Sequence, residues 1–156
     1  MALRTGHVGI NVTNLERSKH FYQAVLGLEV LGESVEEGKR FAFLGNPDVV
    51  SEDFLDRLAL TLWEQSTGRF ATAQPGLHHL AFHVASVVEV EQVRSQLEVM
   101  GVELLYEAKI VPHSEEFSSG GIFFVDPDGT RLEVCAPAGV SPEHAVAGAA
   151  PSCGFF

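Results

Sequence analysis

Three histidines stand within seven residues in HHLAFHV, residues 78–84, and His7 opens a similar stretch, HVGINV. A carboxylate, Glu133, lies in GTRLEVCA, residues 129–136. Two neutral imidazoles and one carboxylate make a facial donor set for a divalent ion, with coordination positions left open. Open positions let the ion bind water or chelate an oxygenated substrate. His113 stands in a polar loop, VPHSEEFSSGG, and an imidazole suits general acid or base work near neutral pH. Residues this far apart mean nothing by spacing alone. Some element of the chain must bring them to one face.

That element is a repeat, whose detection decides the fold. GHVGINVTNLERSKHFYQAVLGLEVL, residues 6–31, aligns with HHLAFHVASVVEVEQVRSQLEVMGVELL, residues 78–105, so that His7 falls on His79, 72 positions later. Val8, Ile10 and Val12 fall on Leu80, Phe82 and Val84, and this alternation predicts a half-buried strand in each copy. Thr13 with Glu16, and Ser86 with Glu89, read as capping boxes that open a helix. Helical spacing of Leu15, Phe21, Tyr22 and Val25, and of Val90, Val93, Leu97 and Met100, follows. Each helix is expected to stop at a glycine, Gly27 or Gly101, and each glycine to open a strand, LEVLGE or VELLYE.

FAFLGNPD, residues 41–48, resembles IFFVDPDG, residues 122–129, and RLALTLWE sits against GTRLEVCA once about eight extra residues are allowed in the first hairpin. The predicted fold is therefore α+β: two tandem βαβββ modules, residues 6–65 and 77–136, forming a curved mixed sheet around a cavity. Together they make one domain over residues 1–136. The Ala-, Gly- and Pro-rich residues 137–156 are expected to be a flexible tail.

Side chains alternate across a strand. His7, Gly9 and Asn11 share one face, as do His79, Ala81 and His83. Arg131, Glu133 and Cys135 join that face from the last strand, and Thr61 and Trp63 from its counterpart. The expected metal ligands are thus His7, His79 and Glu133. His83, two residues past His79 and about 6–7 Å away along a strand, is expected to touch substrate instead, and His78 points the other way as a solvent or packing residue. Thr61, Trp63, His83, Arg131 and Phe123 are the expected pocket residues, with His113 as catalytic acid or base. Glu64 alternates onto the opposite face. The aspartates of DPDG, residues 126–129, read as turn formers.

Composition excludes several classes. A net charge of −11 argues against a nucleic-acid backbone as partner. No apolar run reaches the length of a membrane span, and MALRTGHVGINV lacks a signal-peptide core, so a cytoplasmic protein is expected. Cys135 and Cys153 form no metal or redox spacing.

The stretches GHVGINVTNLERSKHFYQAVLGLEV, PGLHHLAFHV and FFVDPDGTRLEV resemble the vicinal oxygen chelate superfamily, which joins glyoxalases, bleomycin resistance proteins and extradiol dioxygenases. The resemblance covers residues 6–136. It implies one divalent ion per chain (Fe2+, Mn2+, Ni2+ or Zn2+), a small-molecule substrate, a homodimer, and lyase, isomerase, transferase or ring-cleavage chemistry. Glyoxalase I-like members place a fourth ligand, a carboxylate, where this chain has Thr61. Extradiol members carry a histidine and a tyrosine ahead of the Asp-Pro-x-Gly stretch; here His113 stands near the first position and Phe123 replaces the second. The alternative reading is a metal-free protein that sequesters a bleomycin-type drug.

Overall fold

The alternation in VGINV builds β1 (Val8–Val12), whose Ile10 and Val12 are buried while Gly9 and Asn11 stay exposed. In the computed structural model, which describes residues 5–114 and 116–141, β1 is followed by α1 (Leu15–Leu26), β2 (Glu29–Glu36), β3 (Lys39–Gly45), a short α2 (Phe54–Arg57) and β4 (Leu58–Glu64). A second set follows: β5 (Leu80–His83), α3 (Val87–Val99), β6 (Val111–Pro112), β7 (Gly120–Val125) and β8 (Arg131–Ala136). The chain divides into two units between Phe70 and Ala71, within the expected linker.

Each unit holds its own four-stranded sheet, in the order β1-β4-β3-β2 and β5-β8-β7-β6. In both, the first and last strands pair in parallel and the others antiparallel. The registers carry the repeat. Val8 pairs with Leu60 as Leu80 pairs with Leu132, and Gly9 pairs with Thr61 as Ala81 pairs with Glu133. Phe43 faces Thr61 as Phe123 faces Glu133. The extra residues of the first hairpin contain α2.

Apolar side chains on the helix side of each sheet make the cores. Leu15, Tyr22, Leu44, Leu60 and Leu62 are buried in the first unit, and Val90, Leu97, Ile122, Phe124 and Leu132 in the second. Each such side chain contributes roughly 1.5–3 kcal/mol. Both helices end as expected: Gly27 and Gly101 adopt left-handed φ of 65° and 66°, and Gly27 N–H closes onto Gln23 O. No helix among the described residues is long and apolar enough to cross a membrane.

Two expectations are corrected. The N-cap of α1 is Asn14, whose side chain accepts from Arg17 N–H at 2.9 Å; Thr13 instead accepts from the Arg17 guanidinium, and Glu16 pairs with Lys19 and Arg40. Glu64 caps the next amide, accepting from Leu15 N–H at 2.9 Å, so it sits on the helix side as its alternation requires. At α3 only half of the expected box forms: the N-cap Ser86 accepts from Glu89 N–H, while the Glu89 carboxylate accepts from the N–H of Ala85, one residue before the cap.

VELLYE is not a strand. Leu104 makes a single bridge to Phe124, and then Tyr106, Glu107 and Ala108 all turn left-handed, with φ between 51° and 57°. This excursion swings Tyr106 edge-on against Phe123, ring centroids 5.4 Å apart, before β6 rejoins the sheet. The bridge carries two bonds to β7, Leu105 N–H to Phe123 O and Val125 N–H to Glu103 O, and the turn then closes on itself through Ala108 N–H to Leu105 O and Lys109 N–H to Tyr106 O.

Past β8 the chain stays in contact with the second unit. Val140 is buried, and its N–H donates to Ser118 O at 2.8 Å. The remainder of the expected tail, residues 142–156, lies outside the described residues.

Candidate metal centre on the second sheet

Glu133 sits at the middle of its sheet, paired with Ala81 of β5 on one side and Phe123 of β7 on the other. Its side chain has no solvent exposure. A buried carboxylate without partners is costly, and two histidines meet it. His113 Nε2 lies 2.7 Å from Oε1, and His79 Nε2 lies 3.4 Å from Oε2.

The β6–β7 turn delivers His113. Its backbone N–H donates to Ser119 O at 3.0 Å, and its Nδ1 lies 3.0 Å from Ser119 Oγ. A carboxylate oxygen accepts, so His113 Nε2–H donates to Glu133 Oε1, and Nδ1 faces the Ser119 hydroxyl. Ser119, His113 and Glu133 thus form one directed chain.

His79 stands immediately before β5. Burial lowers its proton affinity; the Glu133 charge opposes that shift, while His78, His113 and Arg131 add to it. The resulting neutral ring suits coordination. At 3.4 Å its Nε2 makes no hydrogen bond to Glu133 of ordinary length. Two donors each about 2.1 Å from one ion stand about 3.0–3.4 Å apart, so this pair fits a divalent ion between them.

Beside this cluster lies a cavity of about 540 Å3. Its polar lining is His79, His83, His113, Ser119 and Glu133; Ala81, Phe117, Cys135, Ala136 and Pro137 complete the wall. Among the described residues no lysine or arginine lines it. Gly121 stands opposite Cys135 in the register, and a Cβ there would come within 2.7 Å of Cys135 Cβ. Burial pushes the Cys135 thiol up to about 11, with the Glu133 charge adding to the shift. Donor atoms of His113, Glu133 and Cys135 lie within 4.8 Å of one another, so a second candidate donor set shares Glu133 with the first.

The second unit therefore gathers His79, Glu133 and His113. His83 lines the same cavity, its Nδ1 3.9 Å from Cys135 Sγ. Phe123 packs edge-on against His79 at 5.9 Å and lies outside the cavity lining. Arg131, two residues before Glu133 on β8, is partly exposed. In the first unit His7 is exposed directly before β1, at the position His79 holds before β5. Thr61 is buried and accepts from Trp63 Nε1–H at 3.3 Å. Trp63 stacks on Phe41 at 4.4 Å, and Phe43 lies edge-on to Phe41.

Sequence reasoning missed Ser119, Phe117 and the Phe41–Trp63 stack. Phe41 had a signal, because it faces Trp63 once β3 and β4 pair. Ser119, one of two serines before two glycines, had none. His78, assigned to solvent or packing, places its Nδ1 2.8 Å from that of His79.

Comparison with known proteins places these features in a family. Residues 4–134 match the model of the Glyoxalase/Bleomycin resistance protein/Dioxygenase superfamily. The uncharacterized protein YqjT of Bacillus subtilis (strain 168) is 35% identical over 66 residues, 40% of this chain; the match spans about half that protein's length, 48%. A glyoxylase/bleomycin resistance protein/dioxygenase domain from Frankia sp. EAN1pec is similar with a TM-score of 0.69 and 23% identity, covering 88% of this chain and 99% of that one. The fosfomycin resistance protein FosX from Listeria monocytogenes, complexed with Mn(II) and sulfate, has a TM-score of 0.63 and 18% identity, covering 92% and 98%.

Proposed function

Because the chain belongs to the glyoxalase/bleomycin resistance protein/dioxygenase superfamily, we propose that it is a divalent-metal-dependent enzyme acting on a small substrate with vicinal oxygens. The observation that carries this is the pairing of His79 Nε2 with a fully buried Glu133 carboxylate, 3.4 Å apart and not hydrogen-bonded at ordinary length. An imidazole nitrogen and a carboxylate oxygen at that distance are two electron-pair donors that one cation would hold together. The sequence offers His7 as a third donor, of the same residue type and at the same repeat position as His79. The Mn(II) bound by the Listeria neighbour supports a divalent ion; Fe2+, Mn2+, Ni2+ and Zn2+ all suit two imidazoles and a carboxylate.

A bound ion would supply Lewis-acid polarisation of chelated oxygens. The chain's own groups do the rest. His113 holds Glu133 through Oε1, as carboxylate ligands are commonly held by outer partners, leaving Oε2 on the His79 side. Its Nε2 proton is committed to Glu133, so proton exchange with a substrate runs through Ser119 Oγ at its other nitrogen. Ser119 lines the cavity, where a substrate oxygen can reach it. Phe117, Cys135, Ala136 and Pro137 give the substrate's carbon frame an apolar wall that excludes water.

The cavity also bears on substrate. With no lysine or arginine in its described lining, it favours uncharged diols, epoxides or thiohemiacetals over phosphonates. The test is to load the protein with each of the four ions and screen those classes for turnover, beside Ser119→Ala. Turnover of an uncharged substrate that drops at least tenfold in the variant supports the assignment. Turnover unaffected by Ser119→Ala removes the proton path described here.

A further inference from the structure

His78 and His79 meet through their Nδ1 atoms at 2.8 Å, with rings nearly perpendicular at 82°. We propose that His78 is a positioning residue: it accepts a hydrogen bond from His79 Nδ1–H and so orients the His79 ring with Nε2 bare toward Glu133. The inference rests on the metal-centre reading above for its purpose, though not for its geometry.

A neutral imidazole has one N–H and one acceptor nitrogen. A contact of 2.8 Å between two ring nitrogens requires one to donate. If His78 donated, His79 would carry its proton on Nε2, and that proton would be drawn to Glu133. The 3.4 Å between Nε2 and Oε2 exceeds the length of such a charge-assisted bond, ~2.7–2.9 Å. His113 makes that bond to the same carboxylate at 2.7 Å, so the carboxylate geometry allows it. His79 is therefore the donor at Nδ1. His78 is exposed and belongs to neither core, so its removal alters the orientation and proton placement of His79 with little loss of packing. Phe123 buttresses the His79 ring edge-on, fixing its plane but not its tautomer.

Metal-ligating histidines depend on the partner of their other nitrogen, and losing it weakens binding by about 10- to 100-fold. Asparagine can replace His78 as acceptor, because its Oδ1 stands at the same distance from the backbone as histidine Nδ1. Phenylalanine keeps the ring and cannot accept.

The experiment uses the full chain and two readouts. Long-range 1H–15N correlation of metal-free protein reports which His79 nitrogen bears the proton. Titration with Mn(II), following the free ion by electron paramagnetic resonance, reports affinity. Wild type and His78→Asn are expected to show the Nδ1–H tautomer and similar affinity. His78→Phe is expected to populate Nε2–H and to bind Mn(II) at least about tenfold more weakly. An unchanged His79 tautomer in His78→Phe, or the Nε2–H form in wild type, would overturn the proposal. A wild-type protein that takes up none of the four ions overturns the metal centre instead, while the metal-free spectra still decide the role of His78.

Discussion

His113 Nε2 lies 2.7 Å from Oε1 of Glu133, and both side chains are buried, at 9% and 0% exposure. The bond ties the β6–β7 turn to the centre of β8. Its loss takes a hydrogen bond from a buried carboxylate. His113→Ala should lower the stability of metal-free protein by about 2 kcal/mol, whereas Glu133→Gln, whose amide oxygen still accepts from Nε2–H, should cost less. Urea unfolding followed by circular dichroism measures both. Equal losses in the two variants would contradict a hydrogen bond in this direction.

The His79 shift has a definite sign. Its folded proton affinity is lowered from an ordinary value of 6.5, so the unfolded chain takes up the proton first as pH falls. Stability from this group is present above about 6.5 and is lost as pH drops toward the lower folded value. The urea midpoint of metal-free protein should fall between pH 7.5 and 5.5, and His79→Asn should flatten that slope. An unchanged slope in the variant would assign the pH dependence to other groups.

Cys135 runs the other way at high pH. Its thiol is raised from 9.0 to about 11, so the folded protein holds the proton through a window in which the unfolded chain releases it. Its stability contribution is therefore lost as pH rises from 9 to 11. At pH 8 the folded thiolate fraction is roughly a hundredfold below that of an ordinary thiol. In a Cys153→Ser background, iodoacetamide should label Cys135 slower by at least that factor in native protein than in urea. Equal rates would mean an accessible, unshifted thiol.

Asn14 and Thr13 separate the observed helix start from the expected one. Asn14→Ala should destabilise by about 1 kcal/mol, and Thr13→Ala by less than about 0.5 kcal/mol, as for an ordinary surface change. Thermal unfolding of the two variants compares them directly.

Much of the fold was legible because a repeat carries its own check. The register that pairs Gly9 with Thr61 and Ala81 with Glu133 is the 72-residue offset read from the sequence, and the C-cap glycines turn left-handed where helical periodicity stops. The failures have local causes. Thr13 and Asn14 are adjacent cap formers, and a distant group, Glu64, satisfies Leu15 N–H once the helix begins after Asn14. The left-handed turn at Tyr106, Glu107 and Ala108 ends the pairing with β7 after Leu105, which no alternation pattern encodes. At the site, strand alternation put His79, His83, Glu133 and Cys135 on one face. The Ser119–His113–Glu133 chain depended on a turn whose closure, His113 N–H to Ser119 O, follows from no local motif. His78 was assigned by alternation alone, which says where a side chain leaves the backbone and not which neighbour it meets.

The proposed function requires a divalent ion held by His79 and Glu133. The most direct measurement is elemental analysis of tag-free protein, beside His7→Ala, His79→Ala and Glu133→Ala. About one divalent ion per chain is expected, as a facial donor set binds, lost in all three variants. An ion retained in His7→Ala but lost in the other two would contradict the role given to His7. No ion in the wild type, and no uptake of added Fe(II), Mn(II), Ni(II) or Zn(II), would contradict the metal centre and leave ligand sequestration as the function to test.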